Sequence, residues 1–246
     1  MYERTRRRWF RFSLRTLLVV TLVVGAVMGW VVKERRQSER EHRIAETLKG
    51  GTGFVEFLGP YDDRRHPHYQ AWWRSALREI LGTRASLLKI DDKGLSDLSR
   101  FAAFKSLDRL MLEGTQVSDL TPLADLQKLR AVGLRDTQVR DLTPLANLRN
   151  LRSIGLDGTP VRDLTPLKGI KNLRWLIMNR TQFTDLAPLS GLMNVQEVYL
   201  DDAAATDIMP LAGLKNLQML TIKNTNVSDE QLREFQRALP GCKIVR

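Results

Sequence analysis

Two histidines separated by one residue come closer to a metal-binding motif than anything else in this chain. His66 and His68 could share one ion if they lay in a strand, and Asp62 and Asp63 stand nearby. A protein metal site needs a third or fourth ligand, however, and these four residues lie in a polar, turn-forming segment. We therefore interpret the pair as part of a solvated loop, and we predict neither a metal nor a cofactor.

Short motifs of common catalytic sites are missing from the sequence. It contains no G-x-S-x-G, no G-x-x-x-x-G-K-[ST], no H-E-x-x-H and no G-x-G-x-x-G. Cys242 is the only cysteine, so no internal disulfide can form. We expect it to pack as a small apolar side chain, with a reactive or intermolecular thiol as the alternative. The sequence thus predicts that the protein is not an enzyme.

One aspartate recurs every 22 residues, which raises the alternative of a calcium-binding row of carboxylates. In most copies the aspartate is followed by Leu-x-Pro-Leu. An aspartate just before proline and an apolar pair is typical of a cap on a short helical turn, and capping is the better account. The members of the column are Asp97, Asp119, Asp141, Asp163, Asp185, Asp207 and Asp229.

The aspartates belong to a 22-residue repeat that fills more than half of the chain. Its form is L-x-x-L-x-L-x-x-T-x-V-x-D-L-x-P-L, as in Leu129 to Leu145. The first part alternates apolar residues, as does a strand with one buried face. Successive strands can stack in parallel because the rest of each repeat supplies the crossover. Self-similarity at this period indicates a solenoid, in which no repeat buries its apolar face alone.

Three positions within the repeats carry further expectations. A threonine recurs where the chain should leave each strand, and we expect its hydroxyl to bond the neighbouring turn. Ala203 replaces this threonine in the sixth repeat, and Lys93 replaces it in the weak first repeat. The last repeat lacks proline, and its Ser-Asp-Glu-Gln run from Ser228 has the pattern of a capping box at the start of a helix ending near Leu239.

Over residues 85–239 the repeat resembles the leucine-rich repeats of internalin-like proteins. The resemblance implies an α/β fold: a right-handed solenoid of about seven repeats, with a concave parallel sheet and short helical turns on the convex side. Residues 240–246 look like the C-terminal cap of such bacterial proteins. The order of segments is similar to that of small bacterial single-pass membrane proteins with these repeats, a class for which the resemblance implies no biochemical activity.

A basic start followed by an uncharged run predicts an N-terminal transmembrane helix. Residues 16–32 carry no charge and would span about 26 Å as a helix, close to the thickness of the hydrocarbon layer. Trp9 and Trp30 flank the run, as interfacial aromatic residues do. We predict a basic cytoplasmic tail at 1–13 and an uncleaved signal anchor at 14–32. A cleaved signal peptide and a buried core helix are the alternatives.

Charge and tail length favour one membrane orientation. Six arginines precede the uncharged run and five basic residues follow it closely, so the positive-inside count is nearly balanced. The tail is short, and we therefore place it in the cytoplasm and the repeats outside. Residues 1–32 hold +5 of the net charge of +11, and the remaining charge is mixed in sign along the repeats. A nucleic-acid partner is not expected, because no concentrated basic stripe or recognisable module is present.

Two segments connect the anchor to the repeats. Residues 33–49 predict a helical stalk, and 50–84 predict an N-terminal cap region. In the latter, Tyr69, Trp72, Trp73 and Leu77 are spaced as one apolar helix face, which could cover the open end of the solenoid. The alternative is a helix lying on a lipid surface.

The exposed strand positions carry the functional prediction. The residues at these positions differ between repeats, whereas those of the buried columns do not, so the exposed positions can determine which partner is bound. An apolar patch with a polar edge is typical of a protein interface. We predict a partner that is a protein or another envelope macromolecule, with no small-molecule substrate. The alternatives are a structural envelope component without a specific ligand and a secreted protein with a cleaved signal. The predicted patch comprises Trp175, Ile177, Glu197, Tyr199, Asp201 and Met219.

Overall fold

The computed structural model describes residues 14–49, 87–90 and 92–246. The predicted tail at 1–13 and cap region at 50–84, with His66, His68 and the Trp72–Trp73 helix, lie outside the described residues. The chain divides into two compact units at residue 40 of its first helix, and the repeats belong to the second unit.

A single helix, α1 (Leu14–Lys49), contains both the uncharged run and the segment predicted as a stalk. Most of the described side chains in its apolar part face solvent, and the large ones are 44–65% exposed. These exposed side chains are Val19, Leu22, Val23, Val24, Val27, Met28, Trp30 and Val32. Within the part of the chain that the structure describes, no helix combines the length and the apolarity needed to cross a membrane.

The second unit contains a parallel sheet of eight short strands that pair in chain order. Each strand is three residues long, and the register advances by one full repeat at each of the first six pairings. The strands are β1 (Leu87–Lys89), β2 (Arg109–Met111), β3 (Ala131–Gly133), β4 (Ser153–Gly155), β5 (Trp175–Ile177), β6 (Glu197–Tyr199), β7 (Met219–Thr221) and β8 (Lys243–Val245).

Short 3₁₀ turns lie on the other side of each repeat and complete the crossover. Proline stands near the start of five of them, where its missing N–H is harmless. In the last repeat a regular helix, α2 (Asp229–Ala238), takes the place of the turn. The 3₁₀ turns are Ser99–Ala103, Thr121–Leu123, Thr143–Leu145, Thr165–Gly169, Ala187–Leu189 and Met209–Gly213.

Each apolar position of the repeat forms a column of buried side chains, and these columns together make one continuous core. The middle residue of each repeat strand points inward and is at most 1% exposed, which confirms the predicted register. Full burial of one such side chain stabilises the fold by about 1.5–3 kcal/mol before packing is considered. These residues are Leu88, Leu110, Val132, Ile154, Leu176, Val198 and Leu220.

The threonine column is buried, but its predicted bonding partner is wrong. The hydroxyl of Thr137 donates to the carbonyl of Leu134 in the same repeat at 2.7 Å, and Thr159 does the same to Leu156. The turn is so tight that the carbonyl three residues earlier is within reach. Neighbouring repeats are instead joined by an asparagine: Asn172 Nδ2 donates to the Arg149 carbonyl at 2.7 Å. Equivalent bonds are donated by Asn150, Asn194 and Asn216.

Six aspartates of the column bond the starts of the 3₁₀ turns, as predicted, but the seventh, Asp229, does not, because it is the first residue of α2, whose cap is Ser228. Asp141 Oδ1 accepts the backbone N–H of Thr143 at 2.8 Å, and Asp163 accepts that of Thr165. Hydrogen bonding to the Thr143 side chain and then to its backbone lowers the pKa of Asp141 below its usual value. Each of these six aspartates stands one residue before the cap position of its turn and accepts the backbone N–H of the residue two positions later.

The C-terminal end differs from the prediction in two details. Ser228 accepts the backbone N–H of Gln231 at 3.2 Å, but the Gln231 side chain turns away to Asp207, so the capping box is not reciprocal. Residues predicted only as a cap also supply β8. Cys242, just before it, is 4% exposed, and burial raises the pKa of its thiol. It therefore packs as a small apolar group.

At the other end of this unit, Glu41 of α1 contacts the first repeats. Glu41 is fully buried, and its carboxylate accepts the hydroxyl of Ser106 at 3.0 Å. This contact connects a helix residue to a repeat residue 65 positions later in the chain.

Candidate interaction surface

Strand alternation brings the predicted patch residues onto one exposed face. In β5 the first and third residues, Trp175 and Ile177, point opposite to the buried Leu176. The register pairs Trp175 with Glu197 and Ile177 with Tyr199, so these side chains lie on neighbouring strands about 4.8 Å apart.

Met219 extends the patch by one more strand. It pairs with Glu197 in the sheet register, while Tyr199 pairs with Thr221. Trp175, Ile177, Tyr199 and Met219 are all half-buried, so each retains surface that a partner could cover. We call Trp175, Ile177, Glu197, Tyr199 and Met219 the concave patch.

A hydrogen bond organises the polar edge of the concave patch. The Tyr199 hydroxyl donates to Glu197 Oε2 at 2.5 Å, along the same strand and on the same face. This bond, together with partial burial and the nearby negative charge, raises the pKa of Tyr199. The phenol therefore stays protonated near neutral pH, and the Glu197 carboxylate is held at a fixed place beside the apolar side chains.

Asp201, the sixth predicted site residue, is used by the scaffold. Its Oδ1 accepts the backbone N–H of Lys223 at 2.9 Å, one repeat further on. Asn179 Oδ1 accepts the N–H of Asp201, and Asp157 Oδ1 accepts that of Asn179, at 2.8 and 2.7 Å. These three residues form a side-chain ladder between strand ends. The sequence predicted Asp201 only as a patch residue, although three Asp or Asn residues at a spacing of 22 could have indicated the ladder.

Small residues border the concave patch on the side of the earlier repeats. Ser153 and Gly155 of β4 pair with Trp175 and Ile177. The Met111 side chain lies over Gly133, where a Cβ atom would come within 2.7 Å of its sulfur. On the exposed face, the large side chains of β5 therefore stand beside a lower surface formed by the small residues of β3 and β4.

A column of left-handed residues was not foreseen from the sequence. It comprises one residue in each of six repeats, immediately before the threonine position, where the chain turns out of the sheet. Glycine tolerates this backbone conformation, but other residues are strained by it. The φ angles are 72° at Gly114, 54° at Asp136, 63° at Gly158, 55° at Arg180, 57° at Asp202 and 55° at Asn224.

Among the described residues, no three His, Cys, Asp or Glu side chains are grouped so that they could hold a metal ion. The capping aspartates are engaged with backbone N–H groups, as described above. The exposed face combines apolar area, the Glu197 carboxylate held by Tyr199, and the parallel sheet behind them.

Comparison with solved structures places these features in a known architecture. An internalin (inlF) from Listeria monocytogenes is 27% identical, with a TM-score of 0.59 over 63% of this chain and 45% of the internalin chain. Internalin C2 (inlC2) from the same species is 29% identical, with a TM-score of 0.55 over 70% of this chain and 82% of that chain. The present chain thus spans less than half of the first of these structures.

A more distant likeness concerns the fold alone. The plant peptide hormone receptor RGFR1, solved in complex with RGF2, is 16% identical, with a TM-score of 0.53 over 65% of this chain and 28% of the receptor chain. No protein-family model matches the chain, and no curated protein matches it. The parallel sheet, the 3₁₀ turns and the two internalin structures lead to one assignment: the repeats of this chain form an internalin-like leucine-rich-repeat solenoid.

Proposed function

We propose that this protein is a non-catalytic interaction protein that binds another protein through the concave patch. The observation that carries the proposal is the placement of Trp175, Ile177, Tyr199 and Met219 on three adjacent strands of one exposed face. Aromatic side chains at the centre of an interface often supply about 2 kcal/mol or more each when a partner covers them.

Rigidity and electrostatics support the same proposal. The patch stands on three-residue strands whose middle side chains are buried in a continuous core, so binding requires little ordering of the backbone. The fixed carboxylate of Glu197 adds a charged group at the edge of the apolar area. A partner with an apolar anchor beside a basic group would complement this surface. Two solved internalins of similar fold add weight to an interaction role.

The proposal includes a membrane anchor at residues 14–32 with the repeats outside the cytoplasm. Its support is the uncharged run at 16–32, the arginines before it and the exposed apolar side chains of α1. Such side chains need an apolar environment, and a bilayer would provide one. The second candidate function is that of a structural envelope component without a specific ligand. The many charged groups that the repeats expose favour it.

Affinity capture with a matched pair of variants tests the binding proposal. The full-length protein carrying Trp175→Ala and Tyr199→Ala should lose the partner that the unaltered protein captures. The control is Met193→Ala, which removes an exposed apolar side chain outside the concave patch. Both variants should melt close to the unaltered protein, because none of these side chains belongs to a buried column. Retained capture by the folded double variant would exclude the concave patch as the binding site.

A further inference from the structure

The loops that lead into β3, β4 and β5 are mostly basic. We call the equivalent segments 124–130, 146–152 and 168–174 the basic rim, because each lies just before a strand of the sheet. These segments contain seven exposed cationic residues and one carboxylate, Asp125, which pairs with Lys105 at 3.9 Å. The cationic residues are Lys128, Arg130, Arg149, Arg152, Lys168, Lys171 and Arg174.

The other ends of the same strands carry alternating charge. There Asp136 forms ion pairs with Arg135 at 3.4 Å and with Arg180 at 3.1 Å. On the basic rim, Arg130 pairs with Asp108 of the preceding repeat at 3.2 Å, but Arg152 and Arg174 form no ion pair with any described carboxylate. Charges that are mixed in sign along the sequence are therefore separated in the fold, with the excess of cations at the start of these strands.

Backbone hydrogen bonds hold the arginines of the basic rim in a column. The N–H of Arg152 donates to the carbonyl of Arg130 at 2.8 Å, and that of Arg174 donates to Arg152 at 2.7 Å. Neighbouring members are therefore about 4.8 Å apart along the solenoid. Like charges directly opposite each other are destabilising, so this column works against the stability of the solenoid unless a counter-charge is present.

Two further cations, Arg149 and Lys171, lie beside the arginine column. The loop carbonyl of Arg149 accepts Asn172 Nδ2 at 2.7 Å, and that of Lys171 accepts Asn194 Nδ2 at 2.8 Å. These bonds fix the loops from which both basic side chains project. The three arginines thus lie one in each of three consecutive repeats, whereas the row beside them holds two cations, because Gln127 occupies the equivalent position of the first repeat.

We propose that the basic rim binds a linear phosphate polymer that carries no bases. Three arginines at the spacing of one repeat, with Arg149 and Lys171 beside them, complement a chain with regularly spaced negative groups. The three segments contain no aromatic residue on which a base could stack, and the nearest aromatic residue along the chain, Trp175, belongs to the concave patch. The basic rim shares no residue with the concave patch, and the proposal is independent of the function assigned to that patch.

Titration of full-length protein in detergent with linear polyphosphate tests the proposal. The rim variant carries Arg152→Glu, Lys171→Glu and Arg174→Glu. The control carries Arg135→Glu, Arg140→Glu and Arg162→Glu, which change the net charge equally at exposed positions outside the basic rim. The rim variant should bind at least ~10-fold more weakly and the control less than ~3-fold, with affinity falling as salt rises.

Several outcomes would overturn the proposal. They are the absence of binding, an equal loss in both variants, and tighter binding of a single-stranded DNA of the same charge than of polyphosphate. Stability gives a further measurement. Because Arg152 lies between two other arginines, Arg152→Glu alone should weaken polyphosphate binding and raise the melting temperature. A lower melting temperature would show that the column is structural, and it too would overturn the proposal.

Discussion

Arg180 and Asp136 form an ion pair across the repeat that lies between them. Arg180 Nη2 lies 3.1 Å from Asp136 Oδ1, although the two residues are 44 positions apart in the chain. Gly158, the equivalent residue of the repeat between them, leaves the space that this contact needs. All three residues have positive φ angles, so the ion pair rests on a column of left-handed turns.

The first prediction concerns Gly158. Gly158→Ala should destabilise the fold by about 1–2 kcal/mol, because alanine is strained at φ 63°. Its Cβ would also press against the Asp136 carboxylate and disturb the ion pair. The matched control is Gly155→Ala in the same repeat, where the new Cβ would make an ordinary 3.7 Å contact with Gly133. Urea unfolding of both variants measures the difference, and equal stability would refute the importance of the left-handed turn.

The second prediction tests the two faces of the sheet. Leu156 is fully buried in the middle of the array, and Leu156→Ala should cost about 2–5 kcal/mol through lost burial and a residual cavity. Arg135→Ala removes an exposed side chain with a surface ion pair and should cost less than about 1 kcal/mol. Chemical denaturation of the two variants should show this contrast. Similar losses would mean that the strand register is shifted by one residue.

The third prediction concerns acid. Hydrogen bonds from the Thr121 and Thr165 side chains, then from their backbone N–H groups, lower the pKa of Asp119 and Asp163 from the usual 3.8. A pKa that is lower in the folded state contributes stability above about pH 4, and this contribution is lost as the pH falls through the folded-state value. Unfolding midpoints should therefore drop between pH 5 and pH 2, within the range of these carboxyl groups.

Asparagine at the same positions separates this effect from general acid denaturation. Asp119→Asn with Asp163→Asn keeps an oxygen that can accept the capping N–H, but it removes the titrating groups. The double variant should lose less stability on acidification than the unaltered protein does. If the two proteins respond identically to acid, these aspartates do not contribute to the pH dependence.

The fourth prediction concerns topology in the membrane. If the N-terminal tail lies in the cytoplasm, protease added to intact spheroplasts should digest the chain after Val32. A tag placed before Arg4 should remain protected until the membrane is lysed. Protection of the repeats, with cleavage of the tag, would show the opposite orientation.

The repeat architecture could be predicted from the sequence because each buried column repeats without interruption. Leu110, Val132 and Ile154 fix both the strand and the face that it buries, and a shift by one residue would expose all of them. The placement of Trp175 beside Tyr199 follows from the same register. Whether these two side chains bind a partner is not determined by the register, since exposed apolar residues also occur without any role.

Details that depend on the reach of a side chain were less predictable. The threonine hydroxyl turns back to its own strand because the carbonyl three residues earlier is nearer than the next repeat. Asn172 reaches that neighbouring repeat instead, and Asp201 bonds to Lys223 rather than only facing solvent. β8 also escaped prediction, because it follows β7 at a spacing of 24 residues rather than 22.

The asparagine and aspartate ladders have a consequence for how the solenoid opens. Among the described residues, the bonds of Asn150, Asn172, Asn194 and Asn216 join the loops from Gln127 onward, and the ladder that starts at Asp157 adds further links from β4 to β7. In a linear array, cooperativity is set by such nearest-neighbour couplings. Within residues 14–49, 87–90 and 92–246, which the structure describes, the asparagine and aspartate ladders do not extend to β1 and β2. Local opening should therefore begin at that end, and amide hydrogen exchange should be faster in β1 and β2 than in β5 and β6.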